Sequence, residues 1–150
     1  MFCIHSTDHY GNKYLFNPTE RLPDDFSTIG EAVVSLWPDD LPGGTLDGDV
    51  NTIAKSGTSF STPIAACIAG FLLRYARTHL RPKEQMRLKR PHVMRALMKR
   101  LTRDLKRDDC HYLTLRSGAG HLFESTNMAE EIKASVGKII NDTWQGSRQY

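Results

Sequence analysis

Gly57-Thr58-Ser59-Phe60-Ser61-Thr62-Pro63, running straight into the apolar stretch from Ile64 to Leu73, is the segment of this chain best suited to chemistry. A serine hydroxyl alone is a weak nucleophile; it reacts when a base takes its proton and donors hold the oxyanion that forms. The pattern places Ser59 at or near a helix N-terminus, where free N–H groups and the positive end of the helix dipole favour developing negative charge. Gly57 has no Cβ and permits a close approach just before the serine. Thr58 either supports the site through its hydroxyl or caps the helix. Pro63 is tolerated in the first turn, where its missing N–H has no intrahelical partner. The competing reading of Ser59 is a helix-capping serine in a chain with many Ser and Thr.

The elements that would position this segment are legible in outline. Ala65, Ala66, Ala69 and Gly70 are small enough to let the helix approach a sheet closely. Ile64, Ile68, Phe71, Leu72 and Leu73 are its expected core residues, and Arg74 and Arg77 mark its emergence into solvent. Ala32 to Trp37, ended by Pro38, is a short apolar run of the buried-strand kind. Strands are expected around residues 1–6, 32–37 and 49–55. Met94, Leu97, Met98, Leu101 and Leu105 form a stripe at helical spacing, which predicts a core-facing helix over 91–106 started by Pro91. An antiparallel pair is expected around 110–123. Asn127-Met128-Ala129-Glu130 fits an N-cap followed by a carboxylate in the first turn. Ile132, Val136, Ile139 and Ile140 give that last helix one apolar face, either docked or leading into a linker. Residues 144–150 are expected to be disordered.

The segment from Gly57 to Pro63 resembles the nucleophile motif of the subtilisin-like serine peptidases, with Ser59 in the nucleophile's place. Phe26 to Gly30, the run from Ala32 to Pro38, and Gly118-Ala119-Gly120-His121-Leu122-Phe123 are similar to later parts of the same domain. The resemblance covers about residues 1–125 and implies an α/β fold, the C-terminal portion of a subtilisin-like domain with a mostly parallel sheet flanked by helices. Residues 126–150 then form a C-terminal helix and tail. It implies a serine endopeptidase acting on a peptide or protein substrate, with Ser59 catalytic and Gly57 and Thr58 supporting the oxyanion and nucleophile. The family's chain order is Asp, His, Ser, and its Asp, His and oxyanion Asn belong to segments preceding those matched here. Loss of that Asn donor costs about 10²- to 10³-fold in rate, a magnitude established on subtilisin itself. A chain starting at an internal strand of the family reads as a fragment, inert alone, with one sheet edge and some apolar surface uncovered. His5, Asp8 and His9 precede Ser59, but on a strand that does not carry the family's base, so they are expected at the surface or at strand ends.

Composition bounds the alternatives. With 39% apolar and 25% charged residues the chain is expected to be globular and soluble. The Ile64–Leu73 stretch is too short to span a bilayer, so no membrane association is expected. Without a signal-peptide pattern at Met1 to His5, a cytoplasmic location is expected, and the Asn141-Asp142-Thr143 sequon is taken as chance. Cys3, Cys67 and Cys110 read as free thiols, with Cys67 inside the buried helix pattern. Neither Asp39-Asp40 nor Cys110-His111 with His121 makes a metal site, and no metal or cofactor is assigned. Residues 74–107 hold 13 Lys and Arg against Glu84 and Asp104, a net of +11, while the remainder carries −8. Such a block can be a phosphate footprint. Here the stripe leaves Arg95, Lys99 and Arg103 on the solvated side of a helix, and only Tyr75 interleaves, so nucleic-acid binding is not expected. The second functional reading is a non-catalytic interaction module using the basic region 74–107.

Overall fold

In the computed structural model the described residues are 2–15, 17, 25–47, 50–107, 110–114, 122–123 and 129–147. The chain is mixed α/β, built on two small sheets and four helices among these residues. The first sheet contains β1 (Ile4–Thr7), β2 (Phe26–Ile29), β7 (Cys110–Leu113) and β6 (Thr102–Arg107), in that spatial order. β1 and β2 are parallel, with Ile4 opposite Phe26 and Thr7 opposite Ile29. β2 and β7 are also parallel, and β6 returns antiparallel to β7. The second sheet, ordered β3 (Val33–Leu36), β5 (Val50–Lys55), β4 (Thr45–Asp47), is antiparallel throughout. The expected strands near 1–6, 32–37 and 49–55 therefore exist, but they do not share one mostly parallel sheet. Only two residues separate β4 from β5, a connection that requires antiparallel pairing.

The core lies between the first sheet and the helices. α1 (Thr58–His79) buries Ser61, Ala65, Ile68, Leu72 and Ala76 on one face. The four apolar ones meet Phe26, Leu88, Val93, Leu97, Leu101, Leu113, Val136 and Ile140 in one cluster. Ile64 is partly buried, whereas Phe71 and Leu73 are exposed, as is Cys67. A helix packed on one side covers only a stripe, so three of the residues expected inside turn outward. By length and composition alone, the 22-residue α1 is also long and apolar enough to cross a membrane.

The expected helix over 91–106 is shorter and is followed by a strand. α2 (Pro82–Leu88) starts with Pro82 at its first position, and the Glu84 carboxylate accepts from Arg81 N–H at 3.0 Å. α3 (Pro91–Lys99) buries Val93, Met94, Leu97 and Met98. Arg100 ends it, the Thr102 hydroxyl donates to Lys99 O at 2.6 Å, and the chain enters β6. A separation of four residues, as between Leu101 and Leu105, fits both helical period and strand alternation. Pairing with β7 across a two-residue connection decides it; the Leu105 side chain lies outside the described residues. α4 (Ala129–Gly146) docks through Val136 and Ile140. It runs on where disorder is expected, because Trp144 stacks on His92 at 6.2 Å and lies beside the Arg87 guanidinium. Residues 148–150, the Asn127 cap and the glycine-rich turn from Gly118 to His121 lie outside the described residues. Leu122 and Phe123 form a turn, not a strand, with Phe123 edge-on to Phe71 and Tyr75.

Candidate active site

Ser59 is the second residue of α1 and is exposed to solvent. Its position follows from a contact two elements away. Gly57 N–H donates to Gly30 O at 2.8 Å, which fixes the start of the helix against the carboxyl end of β2. Gly30 N–H in turn donates to Thr7 O at 2.9 Å, at the carboxyl end of β1. The seam admits no side chain: a Cβ on Gly30 would lie 2.0 Å from Ser61 Oγ and 2.4 Å from Ser6 Oγ. The carboxyl ends of parallel strands are where α/β folds place their reactive groups, and the start of α1 is held there.

The two serines of the motif do different things. Ser61 is fully buried, and its hydroxyl donates to Thr28 O at 3.3 Å, tying the helix to β2. Ser59 points outward, leaning back so that a Cβ on Gly57 would come within 3.0 Å of its Oγ. Gly57 is the N-cap residue, and a side chain there would crowd the Ser59 hydroxyl. Thr58 is not a cap: it is the first helical residue, no side chain caps the helix, and its carbonyl accepts from the Thr62 hydroxyl at 2.9 Å. The N–H groups of Thr58 and Ser59 precede the first acceptor position of α1, while Phe60 N–H donates to Gly57 O at 3.0 Å. A groove of about 390 Å³ begins one turn further on, lined mainly by apolar groups of Pro63, Ile64, Cys67, Ile68, Ile29 and Leu113.

Among the described residues no hydrogen bond links Ser59 to a histidine. His79 ends the same helix, roughly 30 Å away at 1.5 Å per residue. His92 stacks on Trp144, His111 lies against the Phe26 ring and His9 against Tyr10. His121 lies outside the described residues.

His5 corrects the expectation of a surface histidine. It is only 2% exposed, and its Nε2 lies 3.0 Å from Asp25 Oδ2. Along β1 it alternates with Ser6, which faces α1, so His5 looks out from the opposite face of the sheet. Cys3 shares that face, with its Sγ 3.8 Å from the same Nε2. Cys3 is exposed overall, but partial burial of the thiol and, second, the Asp25 carboxylate push its pKa up. His5 Nδ1 is buried with no hydrogen-bond partner among the described residues. Sequence reasoning missed this cluster. The Cys3-x-His5 alternation was visible in the sequence, but Asp25 joins it only through the parallel pairing of β1 with β2.

Comparison with models of protein families, with curated proteins and with solved structures gave no match.

Proposed function

We propose that Ser59 is the nucleophile of a subtilisin-like serine endopeptidase domain, of which this chain forms the C-terminal portion. One observation carries the reading. Of the two motif serines, the one that would have to react is exposed at the second position of a 22-residue helix, while its neighbour is buried as a tether. A capping serine would instead be found bonded to the backbone N–H groups that follow it; Ser59 is inside the helix, and Gly57 holds the cap position.

On this reading the chemistry is acyl transfer. The Ser59 hydroxyl oxygen attacks the carbonyl carbon of a peptide bond, and its proton passes to a histidine base and then to the leaving amine. The Ser59 N–H at the helix start donates to the tetrahedral oxyanion, and water releases the acyl group. The groove beyond Pro63 gives substrate side chains an apolar surface. By the resemblance, the base and its orienting aspartate would come from the family's preceding segments; His5 and Asp25 are a buried pair on the face of the sheet away from α1.

Fluorophosphonate labelling tests the proposal, with the modified peptide located by mass spectrometry. The 150-residue chain and the chain extended by any coding sequence preceding it in its gene are compared, each beside Ser59→Ala. Labelling at Ser59 in the extended form, abolished by the substitution, is the expected result. Labelling in neither form, or labelling that survives Ser59→Ala, overturns it and leaves the interaction-module reading through residues 74–107.

A further inference from the structure

Three donors of different chemistry meet on the face of the first sheet that α1 does not cover. Cys3 Sγ, His5 Nε2 and an Asp25 carboxylate oxygen all lie within 4.8 Å of one another. Their meeting is a consequence of the sheet. Cys3, just before β1, and His5, within it, are two residues apart in chain that pairs with β2, and therefore project from the same face. Phe26 N–H donates to Cys3 O at 3.1 Å, which sets Asp25 beside Cys3 at the entry to β2. On its other side, Asp25 O accepts from His111 N–H at 2.9 Å. Backbone pairing on both sides thus holds the carboxylate's main chain in place before any ligand arrives.

The geometry discriminates between two uses of such a trio. In a nucleophile–imidazole–carboxylate relay the imidazole stands between its partners, with one ring nitrogen facing each. Here the same Nε2 faces both Cys3, at 3.8 Å, and Asp25, at 3.0 Å. Convergence on one atom suits three ligands of one central ion. A tetrahedral zinc with bonds of about 2.3 Å to sulfur and about 2.0 Å to nitrogen and oxygen needs ligand separations of roughly 3.6 Å for S–N and roughly 3.3 Å for N–O. Both observed separations lie within a few tenths of an ångström of these values.

We infer that Cys3, His5 and Asp25 form a binding site for a thiophilic divalent transition metal, zinc or cobalt(II), on the face of the sheet opposite Ser59. Thiolate and imidazole select such ions over magnesium or calcium, which take oxygen ligands. One thiolate and one carboxylate neutralise the dication, so a largely buried site carries no net charge. Binding through Nε2 places the ring proton on Nδ1, which is buried with no hydrogen-bond partner among the described residues, so metal binding has to outweigh the cost of that unpaired donor. Cys3 is exposed, so water reaches the fourth position, and the site has the three-ligand form that leaves one position open. The site does not depend on the peptidase reading, since Ser59 contributes nothing to it.

Cobalt(II) titration of the reduced 150-residue chain tests the inference, followed by displacement with zinc. The expected result is one equivalent of cobalt with a thiolate charge-transfer band and the visible bands of tetrahedral coordination. Cys3→Ser should abolish the charge-transfer band and weaken zinc binding about 100-fold or more, since even outer partners of metal ligands are worth 10- to 100-fold. Asp25→Asn should weaken binding while keeping the band. Cys67→Ser and Ser59→Ala should leave both unchanged. Because His5→Ala removes a buried ring and could unfold the chain, the exposed Cys3 carries the decisive variant, with far-ultraviolet circular dichroism confirming its fold. A band that survives Cys3→Ser, a band lost in Cys67→Ser, or no cobalt binding at millimolar concentration would each overturn the site.

Discussion

The two sheets of this molecule are of similar size and opposite character. The four-stranded sheet backs onto helices, and in their shared core Phe26, Leu72, Leu97 and Leu113 are at most 1% exposed. The three-stranded sheet has no helix on it among the described residues, and Val34 and Leu36 on β3 are 66% and 75% exposed. Both contain β-branched and apolar side chains, so local propensity does not separate them. What separates them is a second layer: apolar burial stabilises a sheet only when another element removes its face from water. The start of α1 is where the two meet, since Ser56 Oγ accepts from Ala32 N–H at 3.0 Å and Gly57 N–H donates to Gly30 O, just past the end of β2. The candidate nucleophile therefore sits on the junction of a packed region and an unpacked one.

Core truncation should show the difference most strongly. Leu72→Ala or Leu97→Ala is expected to cost about 2–5 kcal/mol, the usual range for a buried leucine that leaves a cavity. Val34→Ala should stay within about 0.5 kcal/mol, as exposed substitutions do. Urea unfolding of the three variants measures this directly. A loss at Val34 comparable to that at Leu72 would mean the second sheet is covered in solution, and the contrast would fail.

The junction comes next. Gly30→Ala places a methyl where Ser61 Oγ and Ser6 Oγ lie, an overpacking expected to cost about 1–3 kcal/mol. It should also displace the start of α1 and so lower the reactivity of Ser59 in any form that labels. Ser61→Ala removes the tether to Thr28 O and should cost about 1 kcal/mol, in line with a single buried hydrogen bond. Ser59→Ala should leave stability within about 0.5 kcal/mol and remove labelling. Equal stability losses at positions 59 and 61 would contradict the division of labour between the two serines.

The sequence made the motif legible because a serine, its flanking glycine and a following apolar run are all local. It placed Ser59 at a helix start, found strands near β1, β3 and β5, and found the face of α4. It misjudged where long-range pairing decides. The parallel union of β1 with β2 is invisible without knowing which strands meet, so the Cys3–His5–Asp25 cluster escaped notice. β6 was absorbed into a helix because its leucine spacing satisfies two periods at once. Cys67 and Phe71 were assigned to the interior because hydropathy identifies apolar residues without saying how wide a face the neighbours cover. Trp144 was assigned to a disordered tail because its partners, Arg87 and His92, are more than fifty residues away.

The smallest expected effect lies at the outer border of the packed region, in the loop that follows β1. Asp8 Oδ1 accepts from Tyr10 N–H at 2.9 Å and Asn12 N–H at 2.8 Å, and Oδ2 from the Asn12 amide at 2.7 Å. Burial acts to raise its pKa, but these hydrogen bonds, with Asn12 foremost, outweigh it and hold the carboxyl below its ordinary value. A carboxyl that is more acidic folded than unfolded stabilises the fold while ionised. That contribution is complete above the unfolded value of about 3.9 and is lost as pH falls through the lower folded value. Asp8→Asn should therefore be slightly less stable than the parent at pH 6, and the difference should vanish near pH 2. Because the loop is exposed, solvent screening keeps the effect small. Parallel thermal melts at the two pH values decide the matter. A difference that grows toward pH 2 would place Asp8 outside the packed region's hydrogen-bonded border.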